Sequence, residues 1–160
     1  MAKKSESAAR AAVKRKKSSK ALMRSASGRT QTSQAMIASR TTTVTQHLAR
    51  VLRQLRRRKV RVPESKPVLA YLGRYSELSD LLLPIVALVE AKFPKAQLSL
   101  EVYSDAEEAG LSWLILYVRM REYERGFLRA LEDLTQAYAP MLAGKEGQLL
   151  VTSDFRPPRG

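Results

Sequence analysis

The chain has no cysteine, which excludes disulfide frameworks, thiol nucleophiles and cysteine-ligated zinc together. Its one histidine, His47, leaves a Ser/His triad a single possible base and excludes a histidine-rich metal site. The longest purely apolar run covers residues 81–89, nine residues that include Pro84, well short of the ~20 a membrane-spanning helix requires. The seven glycines are dispersed, so no phosphate-cradling glycine loop is present. Aromatic residues are missing from the first 70 positions, all ten falling between Tyr71 and Phe155. These absences exclude most familiar enzyme chemistries and integral membrane association, and no cofactor is expected.

What the chain has in excess is positive charge. Against 15 Asp+Glu stand 29 Lys+Arg, a formal net charge of +14, and an imbalance of that size points to polyanionic partners. Residues 1–66 hold 19 of the cations and only two acids, Glu6 and Glu64, whereas residues 67–160 hold ten cations against thirteen acids. Two segments of opposite character therefore share one chain.

Residues 1–42 are dominated by Ser, Thr, Ala, Lys and Arg. Such a composition cannot bury enough apolar surface to offset the ~1–2 kcal/mol per residue of ordering entropy, and it predicts a disordered basic arm. The run Lys14, Arg15, Lys16 and Lys17 clusters cations that neutralise phosphates and release condensed counterions without any fixed geometry. A solubilising tail and an organellar presequence are the other readings of the same composition.

Residues 43–60 predict a basic amphipathic helix. Thr43 and Gln46 can form a capping box, and Val44, Leu48, Val51, Leu52 and Leu55 recur on one stripe. Arg50, Arg53, Arg56, Arg57, Arg58 and Lys59 cover the other side and the end, where cations complement the helix dipole. These six, with the four cations of the arm, are the candidate nucleic-acid contacts. Residues 61–66 read as a linker, and residues 67–160 as one small domain, long enough to bury roughly 60–65% of its unfolded surface.

Within that domain, residues 67–72 form a short apolar run that can serve as an edge strand, with helical and coil readings left open by Pro67. A helix carrying Leu81, Ile85, Leu88 and Val89 follows, with Ser76, Ser79 or Asp80 as its cap, Pro84 in its first turn or at a kink, and Pro94 ending it. Leu98, Leu100 and Val102 alternate with Ser99, Glu101 and Tyr103. Leu114, Leu116, Val118 and Met120 alternate in turn with Trp113, Ile115, Tyr117 and Arg119, so a hairpin with one buried face is expected. Tyr123, Phe127, Leu131, Leu134 and Tyr138 fall at steps of four, four, three and four, predicting a helix that contains Gly126 and ends near Pro140 and Gly144. A last strand is expected over residues 149–155. The order is (β)αββαβ, an α+β sandwich of ferredoxin-like type with two helices on one face of an antiparallel sheet.

Two surfaces of this domain invite a functional reading. Asp105, Glu107 and Glu108, with Glu101 nearby, gather carboxylates at the hairpin loop, the groups that acid/base or hard-metal chemistry uses. Their spacing matches no calcium loop, and an exposed acidic turn explains them. Tyr103, Trp113 and Tyr117 are expected to project from the sheet face opposite the helices. Exposed aromatics there suit a protein partner or a second copy of the chain better than stacked RNA bases, because Glu101 would repel phosphate and the strand has no Gly-Phe pattern.

Two resemblances add to this. The stretch Thr42-Thr43-Val44-Thr45-Gln46-His47-Leu48-Ala49-Arg50 resembles the recognition helix of helix-turn-helix repressors, which implies contact with DNA. Upstream, residues 31–40 offer only Met36 and Ile37 as core for the scaffold helices that family needs. Residues 98–119, Leu-Ser-Leu-Glu-Val-Tyr-Ser-Asp followed by Trp-Leu-Ile-Leu-Tyr-Val-Arg, together with the amphipathic helix after them, resemble small uncharacterised bacterial proteins of αββαβ type. Some of those stand beside toxin-like partners, which implies a binding or antitoxin-like role and transfers no active-site residue. The expectation is a non-enzymatic, cytoplasmic or nucleoid-associated binding protein: the basic segment meets nucleic acid, and the domain meets a protein or itself. A metal-dependent or hydrolytic enzyme using the acidic loop is the alternative from another class.

Overall fold

The computed structural model describes residues 43–104 and 111–159. The chain divides into two units, 1–43 and 44–160, and the second is described here. It is an α+β fold of four helices and a three-stranded sheet: α1 (43–57), α2 (Ser65–Arg74), α3 (Ser76–Lys92), β1 (Gln97–Ser104), β2 (Ser112–Arg119), α4 (Phe127–Leu142) and β3 (Leu149–Thr152). The predicted arm, including Lys14, Arg15, Lys16 and Lys17, lies outside the described residues, as does the acidic loop with Asp105, Glu107 and Glu108.

The first helix follows its apolar period. Leu48, Val51, Leu52 and Leu55 are buried, whereas Val44, at the start of the same stripe, is 38% exposed. The helix is no separate appendage, since these four residues and Val60 belong to the same apolar cluster as the sheet and the remaining helices. The compact unit therefore begins at Val44 rather than at Pro67. Each such side chain contributes about 1.5–3 kcal/mol by leaving water, so α1 is a part of the core's stabilisation.

Residues 61–66 are likewise more than a linker. Arg61 forms an isolated parallel bridge with Ser99 on β1, its N–H donating to Leu98 O at 2.8 Å and its carbonyl accepting from Leu100 N at 2.8 Å. The outer edge of β1 is thereby capped near its start, which blunts an edge that would otherwise invite pairing.

The strand predicted over residues 67–72 is a helix, α2. Pro67 is the third residue of α2, where its missing N–H is one the helix leaves unpaired in any case. Val68, Tyr71 and Leu72 are its buried residues, spaced three and one apart as a helix face demands. Without that strand, the described residues form no split βαβ arrangement. The sheet has order β1-β2-β3, and it is mixed rather than antiparallel: β1 and β2 form the expected hairpin, with Leu98 opposite Val118 and Leu100 opposite Leu116, but β3 runs parallel to β2, with Leu116 opposite Val151. The crossover through α4 sets that direction, because one helix between two neighbouring strands returns the chain to the same end of the sheet.

Pro84 lies well inside α3 rather than in its first turn. The helix ends at Lys92, with Phe93 N donating to Val89 O at 2.8 Å just before Pro94. Gly126 is not within α4 but caps it in the left-handed conformation, φ 93, so the predicted apolar run splits into a loop carrying Tyr123 and a helix from Phe127. Pro140 falls in the last turn of α4, which runs on to Leu142. The last strand stops at Thr152 instead of Phe155.

Gly147, φ 82, precedes β3; a Cβ there would lie 2.6 Å from Tyr75 Cγ, so only glycine fits. Next to it, the Tyr71 hydroxyl accepts from Gln148 N at 2.8 Å and donates to Gln148 O at 3.0 Å, pinning α2 to the start of β3. Burial is the main cause that pushes the Tyr71 phenol above its ordinary pKa.

Candidate nucleic-acid interface and polar sheet face

Burying the apolar stripe of α1 fixes where its cations point. Arg50, Arg53, Arg56, Arg57, Arg58 and Lys59 are all exposed, so the six sequence-predicted cations reach solvent around the open side and the end of α1. Of these, Arg58 donates to Glu90 Oε2 at 2.6 Å, tying the end of α1 to α3. Among the described residues the other five have no ion pair. Lys59 leaves the helix with φ 61, a left-handed residue that turns the chain back toward β1. A side-chain network for phosphates needs neither burial nor perturbed ionisation, and α1 supplies cations on a rigid mount.

His47 lies at the margin of this face. Its Nε2 is 3.0 Å from Ser79 Oγ and 3.1 Å from Asp80 Oδ1, a bridge from α1 to α3. The three residue types are those of a hydrolytic triad, but the geometry is not. Ser79 and Asp80 share one ring nitrogen, whereas a triad needs the nucleophile and the carboxylate on opposite nitrogens. Ser79 is also 1% exposed and spends its proton on Ser76 O at 2.6 Å. Among the described residues no group of three or more potential metal ligands occurs, and no helix is long and apolar enough to cross a membrane.

A cleft of about 880 Å³ opens beyond the end of α1. Arg58, Lys59, Lys95 and Arg121 line it together with Glu90, Glu122 and Glu124, so its charges nearly balance and it does not select for anions.

The sheet face opposite the helices is not the open aromatic platform that the alternation suggests. Tyr103 is 47% exposed, but Trp113 and Tyr117 are partly buried, and only Tyr103 and Trp113 face each other, paired across the strands with ring centroids 6.0 Å apart. Trp113 Nε1 is buried without a hydrogen-bond partner. Sequence alternation placed these three side chains on the right face; it could not show how far their neighbours cover them.

That face also carries a polar cluster centred on Arg119, 2% exposed. Arg119 Nε donates to Asp154 Oδ1 and Oδ2 at 3.1 Å each, and its Nη2 donates to Asp154 Oδ2 at 2.8 Å and to Glu101 Oε1 at 3.1 Å. Ser99 donates to the same Glu101 oxygen at 2.7 Å. The guanidinium stands 5.1 Å from the Tyr117 ring centroid. Hydrogen bonding to Asp154 raises the Arg119 pKa, and the same bond holds the Asp154 carboxyl below its ordinary range. Burial, then the carboxylates of Glu101 and Asp154, push the Tyr117 phenol up. Among the described residues, every charge in the cluster is paired.

The chain beyond β3 is held by the same machinery. Tyr123 Oη accepts from Ser153 Oγ at 3.0 Å and donates to Arg156 O at 3.2 Å. Gln97 accepts from Arg159 N at 2.8 Å and donates to Arg159 O at 2.7 Å. Compared with known proteins, the chain matches no family model, no curated sequence and no solved structure.

Proposed function

We propose that this is a non-enzymatic, cytoplasmic protein that associates with nucleic acid through its basic N-terminal region and with a protein partner or a second copy through its α+β unit. The observation that carries the first part is the arrangement of α1. Its apolar stripe is locked into the core, and its cations face solvent with only Arg58, among the described residues, engaged by a carboxylate. Residues 1–42, with eleven Lys/Arg and one acid, add sequence-independent phosphate contacts in this reading through Lys14, Arg15, Lys16 and Lys17.

The test is charge reversal of Arg50, Arg53, Arg56 and Arg57 to Glu in the full chain. Arg58 is left intact because it is bonded to Glu90. Binding to duplex DNA at moderate salt should fall at least tenfold with the far-ultraviolet dichroism unchanged. Unchanged affinity would remove α1 from the interface.

The second part is supported by Tyr103. It is an exposed aromatic packed beside the ring of Trp113, and Tyr and Trp are enriched at protein interfaces. Substituting Tyr103 by Ser should weaken self-association or partner capture without altering nucleic-acid binding.

A further inference from the structure

Along α1, Gln46, Arg50, Arg53 and Arg57 are spaced four, three and four residues apart. At 3.6 residues per turn they fall in a band about 60° wide on the side directly opposite Leu48, Val51, Leu52 and Leu55. All four are exposed. Ala49 and Arg56 flank the band on one side, and Gln54 and Arg58 flank it on the other. The buried stripe meets the core, and His47 and Arg58 beside it bond to α3, while the band and its side at Ala49 and Arg56 face solvent. An α-helix is about 10–12 Å across with its side chains, and the major groove of B-form DNA is about 12 Å wide.

The side chains on the crest are those that read base edges. Arg pairs with the two acceptors of guanine, and Gln with the acceptor and donor of adenine. From Gln46 to Arg57 the crest spans about 16 Å, roughly five base-pair steps at 3.4 Å each. The flanking Arg56 points toward one groove wall, while Arg58, bonded to Glu90, braces the helix instead of reaching for the bases.

We infer that α1 is a groove-reading helix for duplex DNA, with Gln46, Arg50, Arg53 and Arg57 facing base edges and Arg56 facing phosphate. This rests on the nucleic-acid reading above and sharpens it, because the major groove of duplex RNA is too deep and narrow for a helix and single strands have no groove. The reading crest runs along the helix, well beyond the residues at its start.

The experiment is binding of the full chain to matched duplex DNA, duplex RNA and single-stranded DNA over a salt series, together with selection from a randomised duplex DNA library. The inference predicts at least tenfold preference for duplex DNA over duplex RNA at equal length and salt, and an enriched motif of about five base pairs. Gln46→Ala and Arg53→Lys, which leave the charge unchanged, should flatten the motif preference severalfold while the salt slope holds. Equal binding to duplex RNA, or a library without an enriched motif, overturns the groove-reading role while leaving polyanion binding in place. Absence of binding to all three nucleic acids overturns both this inference and the function on which it rests.

Discussion

Arg119 on β2 and Asp154 just beyond β3 are joined by three hydrogen bonds of 3.1, 3.1 and 2.8 Å across 35 residues of sequence. The bond set closes the sheet at the point where the chain leaves it, and Glu101 on β1 adds a third strand to the same guanidinium. A buried ion pair is weak evidence of net stabilisation, but breaking one by removing a single partner is costly.

Asp154→Asn should therefore destabilise the fold by about 3 kcal/mol, the lower end for a broken buried pair because Glu101 remains. Hydrogen bonding to Arg119 lowers the Asp154 pKa from 3.8. The stabilisation is thus fully present above the unfolded value and is lost as pH falls through the folded value. Thermal unfolding followed from pH 7 downward should show the gap between wild type and variant constant to about pH 4 and narrowing below it. A gap that is constant through that acid range contradicts the assignment.

Trp113 offers the opposite sign. Its indole N–H is buried without a partner, an arrangement that costs about 1–3 kcal/mol. Trp113→Phe removes that donor and some packing together, so the substitution should be close to neutral, within about 1 kcal/mol. Chemical denaturation measures it. A loss of several kcal/mol means that the ring, not the orphaned donor, dominates this position.

Leu55 in α1 is fully buried. Leu55→Ala should cost about 2–5 kcal/mol, and a fragment beginning at Pro67 should lack cooperative unfolding, since it loses Leu48, Val51, Leu52, Leu55 and Val60 from the shared core. A cooperatively folded fragment would show that α1 is an accessory to the unit.

Gly147→Ala places a Cβ 2.6 Å from Tyr75 Cγ at a residue with φ 82. Clash and backbone strain add, and a loss of more than about 2 kcal/mol is expected in the same denaturation assay.

Much of this fold could be read from residue periodicity, and the misreadings have physical causes. The stripe of α1 and the alternation of β1 and β2 are long enough for their periods to be unambiguous. In residues 67–72 the run is short and opens on proline, and only the three-and-one spacing of Val68, Tyr71 and Leu72 separates helix from strand. The direction of β3 could not be read from its four residues, because strand direction is a property of the connection through α4. The cations of α1 were legible as a charged face, whereas the Arg119 cluster was not. Alternation puts Arg119 and Glu101 on one side of the hairpin, but nothing local says that Asp154 returns to meet them.

The most direct measurement is the salt dependence of duplex DNA binding by the full chain and by Arg50→Gln, Arg53→Gln and Arg57→Gln singly and combined. If the solvent face of α1 meets phosphates and base edges, the combined variant should bind at least tenfold more weakly, and adding Arg56→Gln to it should make the slope of log K against log salt shallower by roughly one. If affinity and slope both match the wild type, the cations of α1 make no contact and the account of this face is wrong.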